Sequence, residues 1–141
     1  MTADVNFPRL SVLIIDDDPS VRGVASTMLR RMAIPNVVMA ESGDQALKLF
    51  QTAALPFDLI ICDWDMPGMN GMEVYTQLRA DHPKLPFLML TGRNDLDSVI
   101  TARGSGVSGY LVKPFSPQQL KDKISFVMGI DAAGLAQRSR A

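Results

Sequence analysis

Three consecutive acids, Asp16, Asp17 and Asp18, follow one short apolar run, and a fourth, Asp63, follows another. Carboxylates gathered within about 4 Å repel by roughly 4 kcal/mol per pair at an effective dielectric near 20, so such a group must protonate, separate or bind a cation. An all-oxygen donor set suits Mg2+, which keeps several waters and takes few protein ligands, usually beside a phosphate. The sequence offers no competing nitrogen and sulfur set, because His82 and Cys62 are each the single residue of their type. Two further apolar runs end in Thr91, which supplies a hydroxyl, and Lys113, a compact cation suited to phosphate oxygens. Each has an ordinary reading when taken alone: a turn threonine, a solvated lysine and, for Asp18, the cap of a following helix. Brought to one edge, carboxylates, hydroxyl and ammonium form a phosphoryl-transfer set.

The elements that would bring them there are legible as alternating short apolar runs and longer stretches of helical period. The runs Ser11 to Ile15 (β1), Val37 to Ala40 (β2), Leu59 to Cys62 (β3), Phe87 to Leu90 (β4) and Gly109 to Val112 (β5) have the length and branched composition of buried strands. Between them Val21, Val24, Ala25, Met28, Leu29 and Met32 mark an apolar helix face, α1. Ala46, Leu49, Phe50 and Ala53 mark α2, and Gly71 to Asp81 reads as a weaker helix, α3. Leu96, Val99 and Ile100 mark α4, and Leu120, Ile124, Val127 and Met128 mark α5. Asp18-Pro19 and Ser116-Pro117 place a capping acceptor before a proline, the pattern of a helix start. Right-handed crossovers then predict an α/β, flavodoxin-like (βα)5 doubly wound parallel sheet of order 2-1-3-4-5, with ligands at the carboxyl ends of the strands near β1 and β3.

Composition excludes several classes. A length of 141 residues suits one domain with a core, and the expected organisation is an N-terminal extension over 1–9, a domain over 10–130 and a fraying tail over 131–141, with no room for an attached output domain. The formal net charge of -1 gives no bulk attraction to nucleic acid or to an anionic membrane. No apolar run approaches the roughly 20 residues of a membrane span, and residues 1–9 carry no signal-peptide pattern. One cysteine, Cys62, flanked by Ile60 and Ile61, reads as a buried thiol in a reducing cytoplasm.

The segments Leu13-Ile14-Ile15-Asp16-Asp17-Asp18, Cys62-Asp63-Trp64-Asp65-Met66-Pro67-Gly68-Met69-Asn70-Gly71, Leu90-Thr91-Gly92 and Tyr110-Leu111-Val112-Lys113-Pro114-Phe115 resemble the receiver domains of two-component response regulators, of the stand-alone type. The resemblance runs from about Arg9 to Ile130. It implies that Asp63 is the phosphoacceptor, taking its phosphoryl group from a sensor histidine kinase or a histidine phosphotransfer protein. It implies a Mg2+ ion on Asp17, on Asp16 largely through water, on Asp63 and on the backbone carbonyl of Asp65. Lys113 would pair with a phosphoryl oxygen, across a Lys113–Pro114 bond expected to be cis. Thr91 and Tyr110 would be the switch, read by a downstream protein at the face of α4, β5 and α5, with phosphorylation-dependent homodimerisation as a further output. Asp65 and Arg93, two residues after the acceptor and two after the switch hydroxyl, would govern hydrolysis, and their opposite charges suggest an ion pair across the mouth.

Two other classes compete. Asp63-Trp64-Asp65 also resembles the Asp-x-Asp of haloacid-dehalogenase-type phosphatases, but Pro67 departs from that pattern and the acids at β1 would go unexplained. A receiver-like binding module that never takes phosphate would be expected to lack some of the residues above, and none is missing.

Overall fold

The computed structural model describes residues 9–53, 56–92 and 106–129. The five strands are β1 (Ser11–Ile15), β2 (Asn36–Ala40), β3 (Leu59–Asp63), β4 (Phe87–Thr91) and β5 (Gly109–Val112). They form one parallel sheet in the order β2-β1-β3-β4-β5, as the alternation predicts. The helices are α1 (Pro19–Arg31), α2 (Gly43–Thr52), α3 (Gly71–Asp81) and α5 (Pro117–Met128). The positions that mark α4 lie outside the described residues.

Side chains of a strand alternate between its two faces, and this sheet is covered on both. Val12 and Ile14 of β1, Leu59 and Ile61 of β3, and Leu88 and Leu90 of β4 pack with Ala25 and Leu29 of α1 and Leu120, Ile124 and Val127 of α5. Their neighbours Leu13 and Ile15, Ile60 and Cys62, and Phe87 and Met89 pack on the other side with Ala46 of α2 and Val74, Tyr75 and Leu78 of α3. β1, β3 and β4 are buried throughout, whereas β2 and β5 are edges and partly exposed. Two sequence expectations shift. Val24 is 50% exposed, because it stands at the margin of the α1 stripe, and Ser26 is buried beside Ala25 instead. Ala53 is the extended cap after α2 and belongs to no helical face.

Helix starts follow from local chemistry. The Asp18 side chain accepts from the Ser20 amide with Pro19 at the first position of α1. Ser116 and Gln119 form a reciprocal capping box at α5, again with a proline next. Asn70 and Glu73 form another at α3, which compensates for that helix's weak apolar period.

Candidate functional site

Parallel pairing sets the site. β1 and β3 run in step to the pair Ile15–Cys62, so the next residue on each, Asp16 and Asp63, emerges side by side at the carboxyl edge. One carboxylate oxygen from each of Asp16, Asp17 and Asp63 lies within 4.8 Å of the others; Asp16 and Asp63 are buried and Asp17 is exposed. Lys113, immediately past the end of β5 and joined to Pro114 by a cis peptide, places Nζ 3.0 Å from Asp63 Oδ1 and 3.4 Å from Asp16 Oδ2. Its backbone amide donates to the Thr91 carbonyl at 2.7 Å, which ties β5 to the end of β4. Thr91 itself is 1% exposed at that strand end.

The charges respond to this crowding. Burial raises the Asp63 carboxyl from its ordinary 3.8 to about 6; the Lys113 hydrogen bond opposes the rise, and the charges of Asp16 and Asp17 add to it. Burial likewise raises Asp16, against the pull of the Asp18 amide and of Lys113. Burial draws the Lys113 ammonium down, but the hydrogen bond and charge of Asp63, joined by Asp16, outweigh it and the net shift is upward. Lys113 therefore stays cationic and supplies one positive charge against three carboxylates. The donors are all oxygen, adjacent and under-neutralised, which fits a hard divalent cation. The Cys62 thiol is driven far up by burial and is an inert part of the core, as expected.

The loop after Asp63 is fastened at both ends. The Trp64 amide donates to the Leu90 carbonyl and the Gly71 amide donates to the Trp64 carbonyl, each at 2.8 Å. Gly68 turns the loop at a φ of 76°, a conformation glycine adopts without penalty. Gly71 packs so closely that an added Cβ would stand 2.5 Å from the Asp63 carbonyl oxygen and 2.8 Å from Met89 Sδ. Because the first of these is strand backbone, Gly71→Ala is expected to destabilise the fold by about 2 to 3 kcal/mol. A urea titration checks this, and an unchanged midpoint would contradict it.

Asp16, Asp17, Asp63, Thr91 and Lys113 thus lie where their strand ends place them. Asp65 is exposed just beyond Asp63, while Arg93 lies outside the described residues. Tyr110 is half-buried against the α2–α3 side of the core, with Lys123 Nζ 5.3 Å from its ring centroid. One contact had no signal in the sequence: Arg22 Nη1 donates to the Asp16 backbone carbonyl at 2.7 Å. Helical period places Arg22 on α1 but says nothing of where a long side chain folds back.

A family model described as the response regulator receiver domain matches residues 12–125. The chain is 38% identical over 117 residues to the chemotaxis protein CheY of Pseudomonas aeruginosa, covering 82% of this chain and 93% of that one. It is 36% identical over 122 residues to CheY1 of Helicobacter pylori, covering 85% and 98%. The solved structure of the chemotaxis protein CheY4 of Vibrio cholerae superposes with a TM-score of 0.76 at 34% identity, over 85% of this chain and 99% of that one. No helix among the described residues is long and apolar enough to cross a membrane.

Proposed function

The chain belongs to the response regulator receiver family, the phosphorylatable regulators of two-component signalling, and on that premise we propose that Asp63 is its phosphoacceptor. The observation that carries the reading is Asp63, buried at the end of β3, within ion-sharing distance of Asp16 and Asp17 and hydrogen-bonded to Lys113. An Asp63 carboxylate oxygen attacks the phosphorus of a phosphohistidine on a sensor kinase or phosphotransfer protein. The new P–O bond forms as the P–N bond breaks, and the departing imidazole keeps the electron pair and takes a proton. Asp16, Asp17, Asp63 and the Asp65 carbonyl would hold Mg2+, which when bound neutralises the anionic groups that must meet.

Lys113 starts on Asp63 and Asp16, and transfers its hydrogen bond to a phosphoryl oxygen as the carboxylate becomes an acyl phosphate. The phosphoryl group adds about -1.5 to -2 charge, and it draws the buried Thr91 hydroxyl toward its oxygens. Tyr110 follows into the space vacated, which changes the surface of β5 and α5. Val112, on the same face of β5 as Tyr110, and Phe126 of α5 are exposed apolar side chains that a docking protein could cover. A second copy of the chain is an alternative reader of that surface. Asp65, with Arg93, sets water access and so the lifetime of the phosphoryl group. The similarity to chemotaxis proteins makes a chemotaxis system the first place to seek the kinase and target.

The test is intact mass after incubation with acetyl phosphate. One phosphoryl adduct is expected with Mg2+ and none with EDTA in its place. Turnover of a generic phosphate ester would instead favour a phosphatase.

A further inference from the structure

α1 is fastened to the acid turn at two points beyond its helix cap. The Asp18 amide donates to Asp16 Oδ1 at 2.9 Å, and the half-buried Arg22 folds back along its helix so that Nη1 donates to the Asp16 carbonyl at 2.7 Å. Asp16 still donates its own amide to Ala40, the last residue of β2. In a parallel ladder the carbonyl of that residue would accept from the partner strand two residues on. β2 has by then turned into the Ser42 cap of α2, and the guanidinium stands in for the missing strand amide. The Asp16 carbonyl and the Asp17 amide belong to one planar peptide unit, so holding the carbonyl fixes the direction in which Asp17 leaves the backbone. Asp17 is the exposed member of the acid group and depends on its backbone for aim.

We propose that Arg22 is a positioning residue that holds the Asp16–Asp17 peptide so that the Asp17 carboxylate faces the cation site. This rests on the reading of Asp16, Asp17 and Asp63 as a Mg2+ site. Charge and positioning make opposite predictions, which is what makes the role testable. A nearby cation repels Mg2+, so if Arg22 acted only through charge, its removal would tighten binding. If it positions Asp17, its removal weakens binding, as loss of a partner behind a metal ligand does.

The experiment is Mg2+ titration of the unphosphorylated full chain, followed by amide NMR, for wild type, Arg22→Ala and Arg22→Lys. Arg22→Ala is expected to raise the Mg2+ Kd about tenfold. The Asp17 amide resonance should already be displaced before Mg2+ is added. Arg22→Lys keeps charge and a donor and should fall between, and it carries the test if Arg22→Ala does not fold. Phosphorylation by acetyl phosphate should slow at limiting Mg2+ and recover to within about twofold at saturation, the signature of lost binding with intact chemistry. An Arg22→Ala Kd equal to or below that of wild type overturns the proposal. A wild-type chain that binds no Mg2+ overturns the assignment of the acids themselves.

Discussion

Asp63→Asn is expected to take up no phosphoryl group from acetyl phosphate at any Mg2+ concentration and, in the absence of Mg2+, to be more stable than wild type at neutral pH. The first follows because the substitution removes the proposed nucleophile. The second follows from the crowded site. Below the ordinary value of 3.8 both folded and unfolded chains carry the Asp63 proton; the folded chain keeps it until about 6. Across that window the folded state binds more protons, so wild-type stability falls as pH rises and the full penalty remains above it. Two pH units of displacement correspond to roughly 3 kcal/mol, reduced in practice by the Lys113 hydrogen bond that the amide weakens. Asn at this position removes that dependence. Urea titrations between pH 4 and 8 without Mg2+ would read it as a flatter profile. A variant as pH-sensitive as wild type would place the buried negative charge elsewhere.

Lys113→Met should slow phosphorylation at saturating Mg2+ by about 100-fold or more, the scale on which a single charge-stabilising donor matters. Its Nζ sits against both Asp63 and Asp16, so the substitution also leaves two buried carboxylates facing each other without a counterion. Removing one partner of a fully buried pair costs about 3 to 5 kcal/mol. Here the Lys113 side chain is 25% exposed and the acids can protonate, so the loss is smaller and depends on pH. Without the ammonium both carboxyls rise further, and the loss of stability extends to higher pH than in wild type. Added Mg2+ should recover part of it, because an ion that binds only the folded state stabilises by mass action. Phosphorylation rates with paired melting curves, with and without Mg2+, measure both effects; a wild-type rate would remove Lys113 from the chemistry.

Much of this site was legible because its residues sit at strand ends. Branched runs such as Leu59 to Cys62 and Phe87 to Leu90 announce buried parallel strands, and the crossover rule then places Asp16, Asp63, Thr91 and Lys113 along one edge. Strand ends were legible to within a residue, since Asp63 and Thr91 still pair in the ladder. Features that depend on how a side chain folds back were not. Arg22 reaches the Asp16 carbonyl through a long flexible stem that no period predicts, and Val24 shares the apolar spacing of α1 while standing half in solvent. The closeness of Gly71 to the Asp63 carbonyl likewise arises only once α3 is packed against the strand.

The central claim is that phosphorylation forms an acyl phosphate on Asp63. Borohydride reduces an acyl phosphate, unlike a free carboxylate, to the corresponding alcohol, so the acceptor aspartate is converted to homoserine. The protein is phosphorylated with acetyl phosphate and Mg2+, reduced, and its peptides are sequenced by mass spectrometry. Homoserine at position 63 alone, and none when EDTA replaces Mg2+, is the predicted result. Homoserine at Asp16, Asp17 or Asp65, or an adduct that survives reduction with Asp63 unchanged, would contradict it.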